Sequence, residues 1–353
     1  MSKFLSGKYA SLVPYVPGEQ PKEKKYIKLN TNESPFAPSP LAISLASEEV
    51  KNCNLYSDPD MKELAGAVAD YLNVETQNVL MTNGSDEILN FAFMAYCDQE
   101  TPAIFPEISY GFYKVFAELY NIPYKEIPLK EDFSINASDY FNANGTIFIA
   151  NPNAPTGIAL SLDEIEQIVK ANKENVVIID EAYVDFGGQS AVSLIDKYDN
   201  LLVTQTFSKS RSLAGARLGF GVANSKIIAD LNSIKYSTNP YNVNRMTAKA
   251  GLGAIKDKEY FENNVKKIIE NREYTVKELE KLGFVTTNSK TNFIFAKNSK
   301  IDGQKLYEKL KEKGILVRHF NKEKIKEYNR ITIGSIEEMK AFIEAVKQIL
   351  EEK

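Results

Sequence analysis

The residues of this sequence best suited to chemistry stand just beyond short apolar runs. VVIID (176–180) ends in Asp180 and is followed by Glu181, Ala182 and Tyr183. A carboxylate closing a buried strand is costly unless a cation or a strong donor meets it. Asp180 therefore either caps the next turn or aims a fixed negative charge into a cleft. LLVTQT (201–206) is followed by Phe207, Ser208 and Lys209, then by a stretch rich in glycine and alanine that carries Arg217. Lysines after strands are usually solvated, but a partly desolvated lysine amine forms Schiff bases with carbonyls. Arg217 is either an ordinary sheet-edge arginine or a two-pronged phosphate clamp. NVLMT (78–82) leads into Asn83, Gly84, Ser85, Asp86 and an apolar helix. There Gly84 permits a close turn, Ser85 is a natural N-cap, and free amides at a helix start can hold phosphate. TIFIA (146–150) runs into NPNAPTG (151–157), a loop stiffened by two prolines that is at least a strand-to-helix connector.

Composition removes several competing chemistries. The single histidine, His319, and the two cysteines, Cys53 and Cys97, exclude a zinc site of the Cys/His type and leave a serine triad one candidate base. No Walker motif is present, and no GxGxxG opens a helix after the first strand. Lys plus Arg number 43 against 47 Asp plus Glu, which argues against a nucleic-acid groove. The start has no apolar signal core, no run is long enough to span a bilayer, and the two thiols suit a reducing cytoplasm. What remains is an amine, a buried carboxylate, a phosphate cradle and an arginine, all at strand ends. Pyridoxal phosphate needs that set: an amine for its aldehyde, an anion to keep its pyridine nitrogen protonated, and donors for its phosphate.

The elements that must position these groups alternate. Short branched runs at 78–82, 103–105, 146–150, 176–180, 201–206 and 218–223 are separated by helical patterns such as 85–96 and 162–170. That alternation predicts an α/β fold whose mostly parallel sheet is covered by helices on both faces, with ligands outside the carboxyl ends of its strands. The last third predicts a smaller α+β domain: a long amphipathic helix over 260–282, strands near 291–296, 315–320 and 330–333, and helices over 303–313 and 336–351. Length at about 150 residues per domain agrees with two units. We expect a large cofactor-binding domain over 41–258 and a small one from 1–40 with 259–353.

At these residues the sequence resembles a known family. TFSKSRSLAGARLG (206–219), DEAY (180–183) and NPNAPTG resemble the fold-type I pyridoxal-phosphate aminotransferases, and among them the branch that acts on histidinol phosphate. The similarity runs from Tyr15 in LVPYVPG, through LNTNESPF and Tyr56 in LYSDP, to Arg330 in RITIG. The resemblance implies that Lys209 holds the cofactor aldehyde as an imine, that Asp180 pairs with the ring nitrogen, that Tyr183 bonds the ring hydroxyl and that Tyr110 stacks on the ring. It implies a phosphate site from Gly84, the Ser85 and Asp86 amides, Thr206, Ser208 and Arg217. Tyr56 would reach the phosphate of a neighbouring subunit, hence a homodimer. Arg318 and Arg330 would grip the acidic end of the substrates, with Tyr15 and Asn32 in the same substrate pocket. Two departures stand out. Ala154 occupies the place where the family often has asparagine before PTG, with Asn153 or Asn151 as the substitute. Ser210 follows the lysine where a small apolar residue is common. The activity implied is amino transfer from histidinol phosphate to 2-oxoglutarate in histidine biosynthesis. Transfer from aromatic amino acids, or decarboxylation of a phosphorylated amino acid such as threonine phosphate, are the competing activities.

Overall fold

The computed structural model describes residues 2–9, 12–15, 17–21 and 25–352. Its centre is a sheet of seven strands: β1 (Val79–Thr82), β2 (Ala103–Pro106), β3 (Tyr124–Ile127), β4 (Thr146–Ala150), β5 (Val177–Asp180), β6 (Leu201–Thr206) and β7 (Gly219–Ala223). They lie in the order β1-β7-β6-β5-β4-β2-β3, parallel from β6 through to β3, with β7 alone running against both of its neighbours. Side chains alternate between two apolar layers, as pleating requires. Ile147, Ile149, Val177, Ile179, Leu201 and Val203 face one layer, and Phe148, Ile178 and Leu202 face the other. Helices Lys62–Leu72, Leu162–Ala171 and Arg245–Lys256 cover the first layer, and helices Ser85–Tyr96, Phe112–Tyr120 and Ser225–Thr238 the second. Burial on both faces is why these strands read as continuous apolar runs rather than alternating ones.

The exception is β3, which no apolar run announces. Its sequence YKEI exposes Lys125 and Glu126, as an edge strand pairing on one side can.

The smaller unit is a four-stranded antiparallel sheet formed by Arg318–His319, Asn329–Thr332, Phe293–Asn298 and Phe284–Thr286, in that order. Helices Lys258–Lys281, Gly303–Glu312 and Ile336–Glu351 enclose its core, centred on Ile294, Leu310, Ile331 and Phe342. The last helix opens with a Ser335–Glu338 capping box, and Gly314, at a φ of +84°, ends the turn after the middle one. The run 315–320 is not one strand. Ile315–Leu316 pairs in parallel with Ile27–Lys28, whereas Arg318–His319 turns to a different partner. The early segment is thereby tied to the small unit, reinforced by Thr332 N donating to Leu29 O at 3.0 Å.

This topology places the chemistry. Because β7 is antiparallel, its first residue, Gly219, lies opposite both Thr206 and Thr82, the carboxyl ends of β6 and β1. The segments carrying Lys209, Arg217 and Gly84 therefore meet at one edge. Gly219 is required there: a Cβ would sit 2.3 Å from Ser85 N and 2.5 Å from Gly84 C. Gly219→Ala is expected to cost about 1–3 kcal/mol, since backbone rather than a flexible side chain must move. Urea unfolding would show it as a lower midpoint, with weakened cofactor affinity because the displaced backbone is the helix start.

Candidate active site

Two adjoining pockets open at the carboxyl ends of β1, β4, β5 and β6. The inner one is lined by Ser85, Asp86, Tyr110, Asp180, Tyr183, Thr206, Ser208, Lys209 and Arg217, with Ala150, Ala154 and Ala182. The outer one carries Tyr15, Asn32, Arg318 and Arg330 and shares Tyr110, Ala154, Tyr183 and Lys209 with the inner.

Asp180 closes β5 as a buried carboxylate. It accepts Tyr113 Oη at 3.1 Å and the Ala182 amide at 3.3 Å, and no ion pair among the described residues includes it. Burial pushes it up to about 7, against the pull of the Tyr113 hydrogen bond. A carboxylate so placed fits a cationic ring nitrogen, which would supply the missing counter-charge. Tyr113 is a residue that sequence reasoning missed. Its one signal is its spacing of three from Tyr110, which puts the two on one face of a turn. Glu181, also buried and pushed up to about 7 by burial, points away from the pocket and is held by Ser190 Oγ, the Ala191 amide and Gln205 Nε2.

At the other end of the inner pocket, donors gather for an anion. Ser85 and Asp86 stand in the first helical turn, where backbone amides have no carbonyl four residues back. The N-cap is Gly84 rather than Ser85. Its φ of +82° and ψ of 163° suit glycine, and Arg217 Nη2 lies 2.8 Å from where a Cβ would be. Arg217 reaches Ser208 Oγ at 3.3 Å and Asp86 Oδ2 at 3.2 Å. Thr206 Oγ1 accepts the Ser208 amide at 3.1 Å, fixing the turn before Lys209. Tyr110 Oη donates to Asp86 Oδ1 at 2.7 Å, which holds the phenol ring as one wall. Lys209 Nζ lies 5.8 Å from the centre of the Tyr183 ring, and no ion pair among the described residues includes it. Amine, buried anion, aromatic wall and anion donors therefore line one cavity, and this set fits pyridoxal phosphate.

Tyr183 is fixed from the small unit. Asn32 Nδ2 donates to its hydroxyl at 2.9 Å, while Asn32 is itself clasped by Thr332 Oγ1 and Asn292 Nδ2. With its oxygen accepting from Asn32, the phenol retains its own proton for an acceptor in the pocket. Asn153 does not line either pocket. Its amide donates to Ile108 O and Thr156 Oγ1 and accepts Ser109 Oγ, so it shapes the loop from behind. Asn151 is likewise engaged with Leu160, leaving the methyl group of Ala154 facing both cavities.

The outer pocket is cationic. Arg318 and Arg330 are register partners on adjacent antiparallel strands, so their side chains share a face and repel each other. Arg330 Nη2 donates to Asn30 O at 3.0 Å, its Nε is buried without a partner, and its guanidinium lies 5.3 Å from the Phe293 ring centre. Burial holds Arg330 below the usual arginine value, and Arg318 adds to that. Lys322 also lines this cavity, whose lining among the described residues contains no carboxylate. Tyr15 packs on Phe112 at 4.6 Å between ring centres and forms part of the rim. Tyr56 is not brought to these pockets. It is 79% exposed and stacked on Tyr241.

A fold of this topology with this cavity is that of a pyridoxal-phosphate-dependent aminotransferase. The family model for aminotransferase class I and II matches residues 24–346, and the chain belongs to that family. It is 51% identical to the histidinol-phosphate aminotransferase of Brachyspira hyodysenteriae over 99% of both chains. Among solved structures, it is similar to a putative histidinol-phosphate aminotransferase of Erwinia carotovora atroseptica (TM-score 0.86, 25% identity, covering 92% of this chain and 96% of that one). The fold also matches the Sinorhizobium meliloti histidinol-phosphate aminotransferase in complex with pyridoxal-5'-phosphate (TM-score 0.89, 20% identity, covering 99% and 98%).

The buried carboxylate yields a pH prediction. An ordinary aspartate titrates near 4 when unfolded, and burial raises Asp180 to about 7. Between those values the folded chain holds the extra proton, so this group's contribution to stability falls as pH rises through the window and stays low above it. Asp180→Asn carries no charge. It is expected to raise the melting temperature of the cofactor-free protein by a few degrees at pH 8 and by little at pH 5. Equal offsets at both pH values would place the carboxylate in a solvated setting.

Proposed function

We propose that this protein transfers the amino group of histidinol phosphate to 2-oxoglutarate, giving imidazole acetol phosphate and glutamate, with pyridoxal phosphate held on Lys209. The observation that carries the reading is the pairing of the two pockets across one lysine. The inner one offers an anion cradle opposite a buried carboxylate, and the outer one offers two arginines with no acid among its described lining. Full-length relatives at about half identity supply the particular donor.

Bound there, the cofactor supplies an aldehyde to take the amino group and a pyridine ring to accept the electron pair left on the substrate carbon. The chain's residues do the rest. With the cofactor bound, Asp180 would hold a proton on the ring nitrogen, and Tyr183, its angle fixed by Asn32, would donate its phenolic proton toward the ring hydroxyl. Lys209 would hold the aldehyde and, once its amine is free, would take the proton from the substrate carbon that bears the amino group and hand it back as an ammonium. Ser208, Arg217 and the first-turn amides would grip the cofactor phosphate. Arg318 and Arg330 receive the substrate's acidic end. Their forks accept a phosphate monoester and a carboxylate alike, which one pocket must do if donor and acceptor bind in turn.

The same reading assigns the domain division at 41–258, with 1–40 and 259–353 as the small unit, and a homodimer in the cytoplasm in which Tyr56 serves the neighbouring site. Exposed Leu55, Tyr56 and Tyr241 support the dimer, since each offers apolar surface outward. Among the described residues no helix is long and apolar enough to cross a membrane.

The test is a half-reaction. Histidinol phosphate mixed with the holoenzyme should convert bound pyridoxal phosphate to the aminated cofactor, faster than tyrosine or threonine phosphate does. Carbon dioxide release, or preference for the aromatic amino acid, would overturn the assignment. Arg330→Ala is expected to raise KM at least about ten-fold for histidinol phosphate and 2-oxoglutarate, the loss of a charge-assisted pair. Steady-state kinetics with unchanged KM for both substrates would move recognition elsewhere.

A further inference from the structure

Helix Ser225–Thr238 contains a lysine that the chemistry above does not use. Lys235 is almost fully buried, and its ammonium donates to a carbonyl, Pro59 O, at 2.5 Å, with no ion pair among the described residues. Asp60, Glu87 and Asp58 act on it from nearby, and burial lowers its basicity despite them. Sinking an ammonium this way is unfavourable unless the cation does something an apolar side chain would not.

Its partner belongs to a short segment that is tied down by its backbone and polar groups. Arg245 Nη1 donates to Tyr56 O at 3.0 Å, and Ser57 Oγ donates to Val243 O at 2.7 Å. Tyr236 Oη donates to Asp60 Oδ1 at 2.7 Å. Lys235 supplies the hold on Pro59 between these. The side chains at the tip point the other way: Leu55 is 58% and Tyr56 79% exposed, the latter stacked on Tyr241 at 4.6 Å. A base fastened from the protein interior thus presents a phenol outward.

We infer that Lys235 is a positioning residue that acts across the subunit boundary: by holding Pro59 it aims Tyr56 at the cofactor phosphate of a second copy of this chain. The inference rests on the reading that Tyr56 serves the neighbouring site. Lys235 touches neither substrate nor cofactor in its own subunit, so its loss is felt in the partner's site and not in its own.

Mixed dimers test this, purified through two different affinity tags and compared with a reference pairing a Lys209→Ala chain with a wild-type chain. That reference holds one working site, built on the wild-type Lys209 and the Tyr56 segment of the inactive chain. Placing Lys235→Met on the Lys209→Ala chain should raise the pyridoxal phosphate concentration giving half-maximal activity about ten-fold, the loss of a hydrogen bond to a charged group. Placing it on the chain that keeps Lys209 should leave that concentration within about two-fold of the reference, which also shows that the substituted chain folds. A loss in the second arrangement, in both equally, or in neither overturns the inference, as does a protein that forms no dimers. A parallel pair with Tyr56→Phe assigns the fault. If Tyr56→Phe shows no loss in the first arrangement, the reading of Tyr56 has failed. If it shows the loss and Lys235→Met does not, the role of Lys235 alone has failed.

Discussion

A carboxylate at the end of a buried strand, in no ion pair among the described residues and with the Lys209 ammonium acting on it only weakly against burial, is the constraint around which this molecule is organised. Asp180 is reached by one phenol and one amide, neither of which can offset a charge in a low-dielectric interior. Such a group either takes up a proton or is met by a cation from outside. The neighbouring residues make the second outcome productive, because an amine, an aromatic wall and an anion cradle line the same cavity. The unfavourable burial is thus a pre-formed binding determinant, complementary to one ring nitrogen.

The same logic recurs in the outer pocket with the sign reversed. Arg318 and Arg330 oppose each other on neighbouring strands, and Arg330 carries a buried Nε without a partner. Two cations sharing one face make this pocket positive. The units are coupled through Asn32, whose left-handed backbone and clasp by Thr332 and Asn292 let it hold the hydroxyl of Tyr183. The outer pocket on the small unit is therefore mechanically continuous with the orientation of Tyr183 in the inner pocket.

Much of this is legible in the sequence. Strands 146–150 and 201–206 and helices 85–96 and 336–351 coincide with their patterns, because two-faced burial and strong caps leave clear marks. Thirteen of the expected pocket residues line the two cavities: Ser85, Asp86, Tyr110, Asp180, Tyr183, Thr206, Ser208, Lys209 and Arg217, with Tyr15, Asn32, Arg318 and Arg330. The features that leave no mark in the sequence depend on contacts distant in the chain. β3 is a polar edge strand with no apolar signature, and the run 315–320 divides because its two halves find partners in different sheets. Tyr113 reads as one more core aromatic until its hydroxyl is seen at a carboxylate 67 residues on. Asn153 faces the loop it stabilises because three polar groups there compete successfully for its amide.

The claim on which the account stands is that one lysine carries the cofactor inside this ring of strand ends. Borohydride reduction of the holoenzyme followed by peptide mapping tests it most directly. A single pyridoxyl-modified peptide is expected, with the label on Lys209. A label on any other lysine, or a fully loaded protein that yields none, would contradict it.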